Sequence, residues 1–116
     1  MSFQLLPPSP RQPVNPAIQD ATRAVNAAAA EAAADPLRPV YHFRPPANCM
    51  NAPNGTIYHA GFYHVFYQQN PFGTGDGPNV WGHTRSADLV HWEHLPIALA
   101  PSAELNETGC WSGCAR

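Results

Sequence analysis

The spacing of apolar positions divides the chain into two parts of different period. In the first, "NPAIQDATRAVNAAAAEAAAD" sets Ile18 and Val25 on a background of alanine. Alanine has the highest helix propensity. Asn15 suits an N-cap and Pro16 the first helical position. The residue before a proline avoids the α region, so Asp35-Pro36 ends the helix. A helix over residues 17–35 follows, with an apolar face made mostly of alanine. Such a face predicts light packing and the role of a connector. Ahead of it, residues 1–16 are rich in Pro, Gln and Ser and read as an extended, flexible leader.

From Tyr41 the character becomes that of β-structure. "TIYH" and "FYHVFYQ", joined by Ala60-Gly61, form a hairpin signal. Alternation in the second run sends Phe62, His64, Phe66 and Gln68 to one face and Tyr63, Val65 and Tyr67 to the other. Both sets are bulky, so this strand is expected to be buried on both sides. "VWGHTR" reads as a short strand, and "SADLVHW" as a tight turn leading into a strand with Trp92. "LPIALAPSAE" reads as a connection and "TGCWSGCAR" as a last strand. "NPFGTGDGPN" lacks the G-x-x-x-x-G-K-[ST] spacing of a phosphate cradle and reads as a surface loop. Short strands in sequence, roughly 10–20 residues apart, make the pattern of one four-stranded antiparallel blade. The chain contains no second copy of it. A lone blade leaves two faces without partners, which predicts self-association through them.

Composition then narrows the partners. The chain has 116 residues, the size of one domain. Its formal net charge is −2 and it has no lysine, so it lacks the basic stripe that nucleic acid requires. No run approaches membrane-spanning length. "MSFQLLPPSPRQP" lacks the basic n-region and apolar core of a signal peptide, which makes the cytoplasm the default location. The 3 cysteines, Cys49, Cys110 and Cys114, are an odd count, which does not look like a disulfide framework. On a strand, Cys110 and Cys114 would share a face with Ser112. The 6 histidines show no ligand spacing, so no metal and no cofactor is expected; His83 and His91 read as core or rim residues. Two N-x-[ST] matches, at Asn54 and Asn106, matter only in a glycosylating secretory cell.

Four stretches carry a resemblance: "HFRPPANCMNAPNG", "YHVFYQQNP", "WGHTRSADLVHWEHLPIAL" and "WSGCA". They stand in the order and at the spacing of the N-terminal catalytic module of glycoside hydrolase family 32, the invertases, levanases and other β-fructofuranosidases. The resemblance covers residues 41–116. It implies an all-β fold, the first blade of a five-bladed β-propeller whose central funnel holds the active site. Residues 36–116 would then be an incomplete, N-terminal part of that propeller.

Retaining glycosidases need two carboxyl groups about 5 Å apart, one as nucleophile and one as acid and base. The family carries its nucleophilic aspartate in W-M-N-D-P-N-G. Here the motif reads Cys49-Met50-Asn51-Ala52-Pro53-Asn54-Gly55. The nucleophile position is Ala52, and Cys49 replaces the leading tryptophan. The other two carboxylates of the family lie in E-C and R-D-P motifs, which this chain does not contain. Asp88, Glu93, Glu104 and Glu107 lie outside matching motifs. The resemblance implies that Asn51 and Gln68 bind fructosyl hydroxyls and that Trp111 and Ser112 line the sugar site. Asp76 falls where the family tends to have a tryptophan, and Trp81 reads as framework. Without the resemblance, Gln68 reads as satisfying a buried backbone group, and Asn51 as an Asx-turn residue that shapes the loop.

The expected function is therefore that of a family 32-like protein. Its lineage hydrolyses terminal β-D-fructofuranosides with retention, its partner is a carbohydrate, and it is inactive as written. Two other readings stand beside this: a non-catalytic fructoside-binding module, and a truncated fragment without function.

Overall fold

The computed structural model describes residues 15–116. The expected leader falls on residues 1–14, outside the described residues, and on the start of the helix. Helix α1 spans Pro16–Ala34, with the Asn15 side chain accepting from the Ala17 amide at 2.9 Å. Pro16 therefore belongs to the helix. Asp35 stops it in an extended conformation, as a pre-proline residue should.

Four strands follow: β1 (Met50–His59), β2 (Phe62–Gln69), β3 (Val80–Ser86) and β4 (Glu93–Leu99). They form one antiparallel sheet in the order β1-β2-β3-β4. The β1–β2 hairpin turns on Ala60 and Gly61, both at positive φ (49° and 87°). Two such residues twist the chain in the sense the strands require.

Strand β4 differs from the sequence reading. "LPIAL" belongs to the strand, and Trp92 lies just before it. Pro96 argues against a central strand, but β4 is an edge strand, where a missing N–H costs no ladder bond. "TGCWSGCAR" is not a strand at all. It is irregular backbone held by single hydrogen bonds, with the Cys110 amide on the Asn79 carbonyl at 2.8 Å and the Gly55 amide on the Gly113 carbonyl at 3.2 Å.

The packing of α1 also differs. Ala21 and Val25 are buried and form the small core with Val80 and Ile97, flanked by Ile18 and Ala100. The helix is thus part of the core and not a loosely held connector. Its alanines let the helix backbone come close to β4, and Thr22 Oγ1 accepts the Ile97 amide at 3.2 Å.

Residues directly paired across strands share a face. One face carries Phe66, Gln68, Trp81 and His83. The other carries Tyr67, Gln69 and Thr84, and Phe43 packs edge-on against Tyr67 at 5.5 Å. The Gln69 amide donates to the Ala47 carbonyl at 2.7 Å. Burial on both sides of β2 holds for Tyr67, Gln68 and Gln69, whereas Phe62–Phe66 are half-buried. Phe43 and Ala47 cover only the former end. Each edge of the sheet carries a proline, Pro53 in β1 and Pro96 in β4.

Candidate functional site

Strand β1 bulges at the stretch of interest. Met50 pairs with Gln69 and Pro53 with Tyr67, so Asn51 and Ala52 together oppose the single residue Gln68. A bulge of this kind re-aims side chains and is common beside active sites. Asn51 and Ala52 are exposed, while Gln68 is only 9% exposed. The Gln68 amide makes no side-chain hydrogen bond within the described residues.

A second irregularity lies between the Asn54–Phe66 and Ile57–His64 pairs. Gly55 supplies it, at φ 60°. A Cβ here would stand 3.0 Å from Phe66 Cδ2 and 3.2 Å from Trp81 Cζ3. Only glycine combines that backbone with that closeness.

Trp81 connects the remaining candidates. It pairs with Gln68 on β2, and its indole Nε1 donates to the Trp111 carbonyl at 2.9 Å. The Trp111 side chain is 70% exposed. Ser112, also exposed, sits between this anchor and Gly113, whose carbonyl holds Gly55. The structure therefore brings Asn51, Ala52 and Gln68 together across two strands. It ties the backbone of Trp111 and Gly113 to the same part of the sheet through Trp81 and Gly55.

None of these five side chains ionises. Three of the carboxylates are engaged elsewhere. Asp88 Oδ1 accepts from the Val90 and His91 amides, and Oδ2 meets His91 Nδ1 at 2.7 Å; hydrogen bonds from His91 and Val90 hold the carboxyl well below its ordinary range. Glu93 accepts from Arg85 Nε at 2.7 Å, which lowers its carboxyl likewise. Glu107 accepts from the Ser102 amide at 2.7 Å. Burial, then Glu107, pushes the Cys110 thiol up. All three cysteines are free. Among the described residues, no group of three His, Cys, Asp or Glu side chains is arranged for a metal ion. Asp76, at the family's tryptophan position, is exposed in the β2–β3 loop.

One pair escaped the sequence reading. His64 Nδ1 and His83 Nε2 lie 2.9 Å apart, and Phe66 stacks on His83 with centroids 4.3 Å apart. Burial, then His64 and Arg85, lowers the His83 pKa. The alternation in β2 places His64 beside Phe66, but only the β2–β3 register adds His83.

The four-stranded antiparallel sheet, with its bulge in the edge strand β1, is built as one blade of a β-propeller. Residues 42–116 match the family model described as the glycosyl hydrolases family 32 N-terminal domain, and the chain belongs to that family. It is 51% identical over 78 residues to β-fructofuranosidase 1 of Zea mays, covering 67% of this chain and 12% of the maize protein. It is 62% identical over 64 residues to the levanase of Bacillus subtilis, covering 55% of this chain and 10% of the levanase. Among solved structures, an aspartate-to-alanine mutant of the family 32 β-fructofuranosidase of Bombyx mori, in complex with sucrose, superposes with a TM-score of 0.74 at 41% identity. That match covers 88% of this chain and 21% of the silkworm chain. The chain thus spans about an eighth of the maize relative's length.

Proposed function

We propose that the β1 bulge and the Gln68 amide are part of a fructoside-binding surface that holds sugar without cleaving it. The observation that carries this reading is the Gln68 amide, nearly buried, without a side-chain hydrogen bond in the described residues, and facing Asn51 and Ala52 across the bulge. An amide offers two donors and an acceptor, which suits the paired hydroxyls of a sugar. Asn51 adds a second amide from the facing strand. The exposed Trp111 ring supplies an apolar face for the sugar's C–H side, and the Ser112 hydroxyl another polar contact.

Cleavage with retention needs a carboxylate to attack the anomeric carbon. The Ala52 methyl carries no lone pair and no charge. Loss of a nucleophile can cost on the order of 10⁴-fold or more in rate. In the silkworm relative, an aspartate-to-alanine mutant was solved in complex with sucrose, which supports a substituted site that holds sugar.

Titration calorimetry with sucrose and with inulin tests the proposal. Saturable binding that Gln68→Leu abolishes is expected, together with no release of fructose above a mock purification. Fructose release that depends on Gln68 overturns the claim of no turnover; absent binding to both sugars overturns the claim of a surface. Placing Ala52→Asp in a chimaera with the remaining length of the maize relative is expected to restore hydrolysis.

A further inference from the structure

Across the sheet from Gln68, a groove of about 850 Å³ opens between α1, residues 38–46 and the start of β4. Five basic side chains line it: Arg38, Arg44, His42, His91 and His94. So do the aromatic rings of Tyr41, Phe43 and Trp92. Phe43 packs edge-on against Trp92 with centroids 5.3 Å apart, and His94 lies 5.9 Å from Phe43. His94 pairs with Thr84, which places it on the face opposite Gln68 and Trp81.

The cations here are positioned but not neutralised. Arg38 Nη2 donates to the Pro45 carbonyl, and Arg44 Nη1 to the Val40 carbonyl at 3.4 Å. The two guanidiniums thereby brace the same loop from either end. A guanidinium has five N–H donors, so each keeps most of them uncommitted. Arg44 Nε is buried and has no hydrogen-bond partner. Among the described residues, neither arginine forms an ion pair. None of the residues lining the groove is acidic, and the nearby Asp88 pairs with His91, which lines it. Burial and Arg44 lower the Arg38 pKa, with Asp35 acting in the opposite sense more weakly. Burial, then Arg38 and Arg44, lowers that of His94. The two guanidiniums therefore repel one another in a partly desolvated groove while His94 is held toward its neutral form, and an anion between the guanidiniums would relieve that repulsion.

We propose that this groove is a binding site for a small oxyanion, a phosphate or carboxylate group, clamped by Arg38 and Arg44 with His94 beneath it. Guanidiniums match the geometry of both groups through paired N–H donors. The aromatic rings flanking them would pack against whatever apolar body carries the anion. The site is separate from the bulge, and neither depends on the other.

Calorimetric titration of the whole chain with inorganic phosphate, and separately with acetate, tests this at constant ionic strength. At least one anion is expected to bind saturably and one-to-one. Arg44→Gln and Arg38→Gln should each weaken that binding at least about tenfold, the loss typical of a charged hydrogen bond. Arg23→Gln, on the exposed side of α1 beside Asp20, serves as a charge control and should leave it unchanged. Binding that fails to saturate for both anions overturns the proposal. So does equal weakening by Arg23→Gln, which would mean that net charge alone attracts the anion. The far-ultraviolet circular dichroism of each variant, compared with the parent, separates lost binding from lost fold.

Discussion

The indole Nε1 of Trp81 donates to the carbonyl oxygen of Trp111 across 30 positions of sequence, at 2.9 Å. This bond fixes the backbone of the C-terminal stretch, which has no strand ladder of its own. Trp81→Phe keeps the ring's bulk and removes the donor. A part-buried hydrogen bond is then lost, at a cost of about 1 kcal/mol. Hydrogen exchange is expected to speed up at the Cys110 and Gly55 amides, which are held by the same docking, while the β2–β3 amides stay protected. Unchanged exchange at Gly55 would show that residues 110–113 dock without the indole.

The left-handed bulge residue makes a second test. Gly55→Ala must adopt φ near 60° and place a methyl 3.0 Å from the Phe66 ring. The backbone term alone is about 1–2 kcal/mol, and displacing the ring adds to it. Urea denaturation is expected to show a loss of about 2–4 kcal/mol. Because Gly55 borders the Asn51–Ala52 bulge, sugar binding should weaken in parallel. A stable variant with full sugar binding would separate the turn from the site.

Helix α1 is anchored by a small core cluster. Val25→Ala removes two methyl groups from the cluster with Val80 and Ile97, for an expected loss on the order of 2 kcal/mol. A change that small is a large share of the stability of a domain this size. Thermal melting followed at 222 nm should show helix and sheet unfolding together at a lower temperature. Selective loss of the helical signal, with the sheet intact, would mean that α1 is an ornament on the sheet.

Alkaline pH tests the packing around Tyr67. Burial raises its hydroxyl from 10.0 to about 12. The unfolded chain ionises near 10, so between these values the native state binds more protons than the unfolded one. Stability from this residue is therefore complete below pH 10 and falls as the pH rises toward 12. A shift of this size corresponds to about 3 kcal/mol at most. Denaturant titrations from pH 8 to pH 12 should show the decline, and Tyr67→Phe should remove most of it. A decline of equal size in Tyr67→Phe would assign it to other groups.

Several features were legible before any coordinates. The helix ends follow from Asn15-Pro16 and Asp35-Pro36, and the hairpin from Ala60-Gly61, because each depends on local backbone preference alone. Strand β4 was hidden by Pro96, since a proline reads as a breaker unless its strand is known to lie at an edge. The helix packing was underestimated because alanine gives a faint apolar stripe, although its small size is what permits close approach. At the candidate site, the motif resemblance singles out Asn51, Ala52 and Gln68, but their juxtaposition rests on a bulge that only the strand register reveals. The His64–His83 pair and the Arg38–Arg44 clamp depend on register and loop closure, which no local pattern encodes.

The two edge prolines have a further consequence. Next to Pro53, the Gly55 amide is already taken by Gly113; next to Pro96, the Ile97 amide is taken by Thr22. On each flank a missing donor and a committed donor lie within two residues of one another. A docking strand needs an uninterrupted row of free amides and carbonyls, and neither flank provides one. The sheet therefore resists fibril-like growth by strand addition, and a neighbouring unit can be accommodated only by stacking, as one card lies on another.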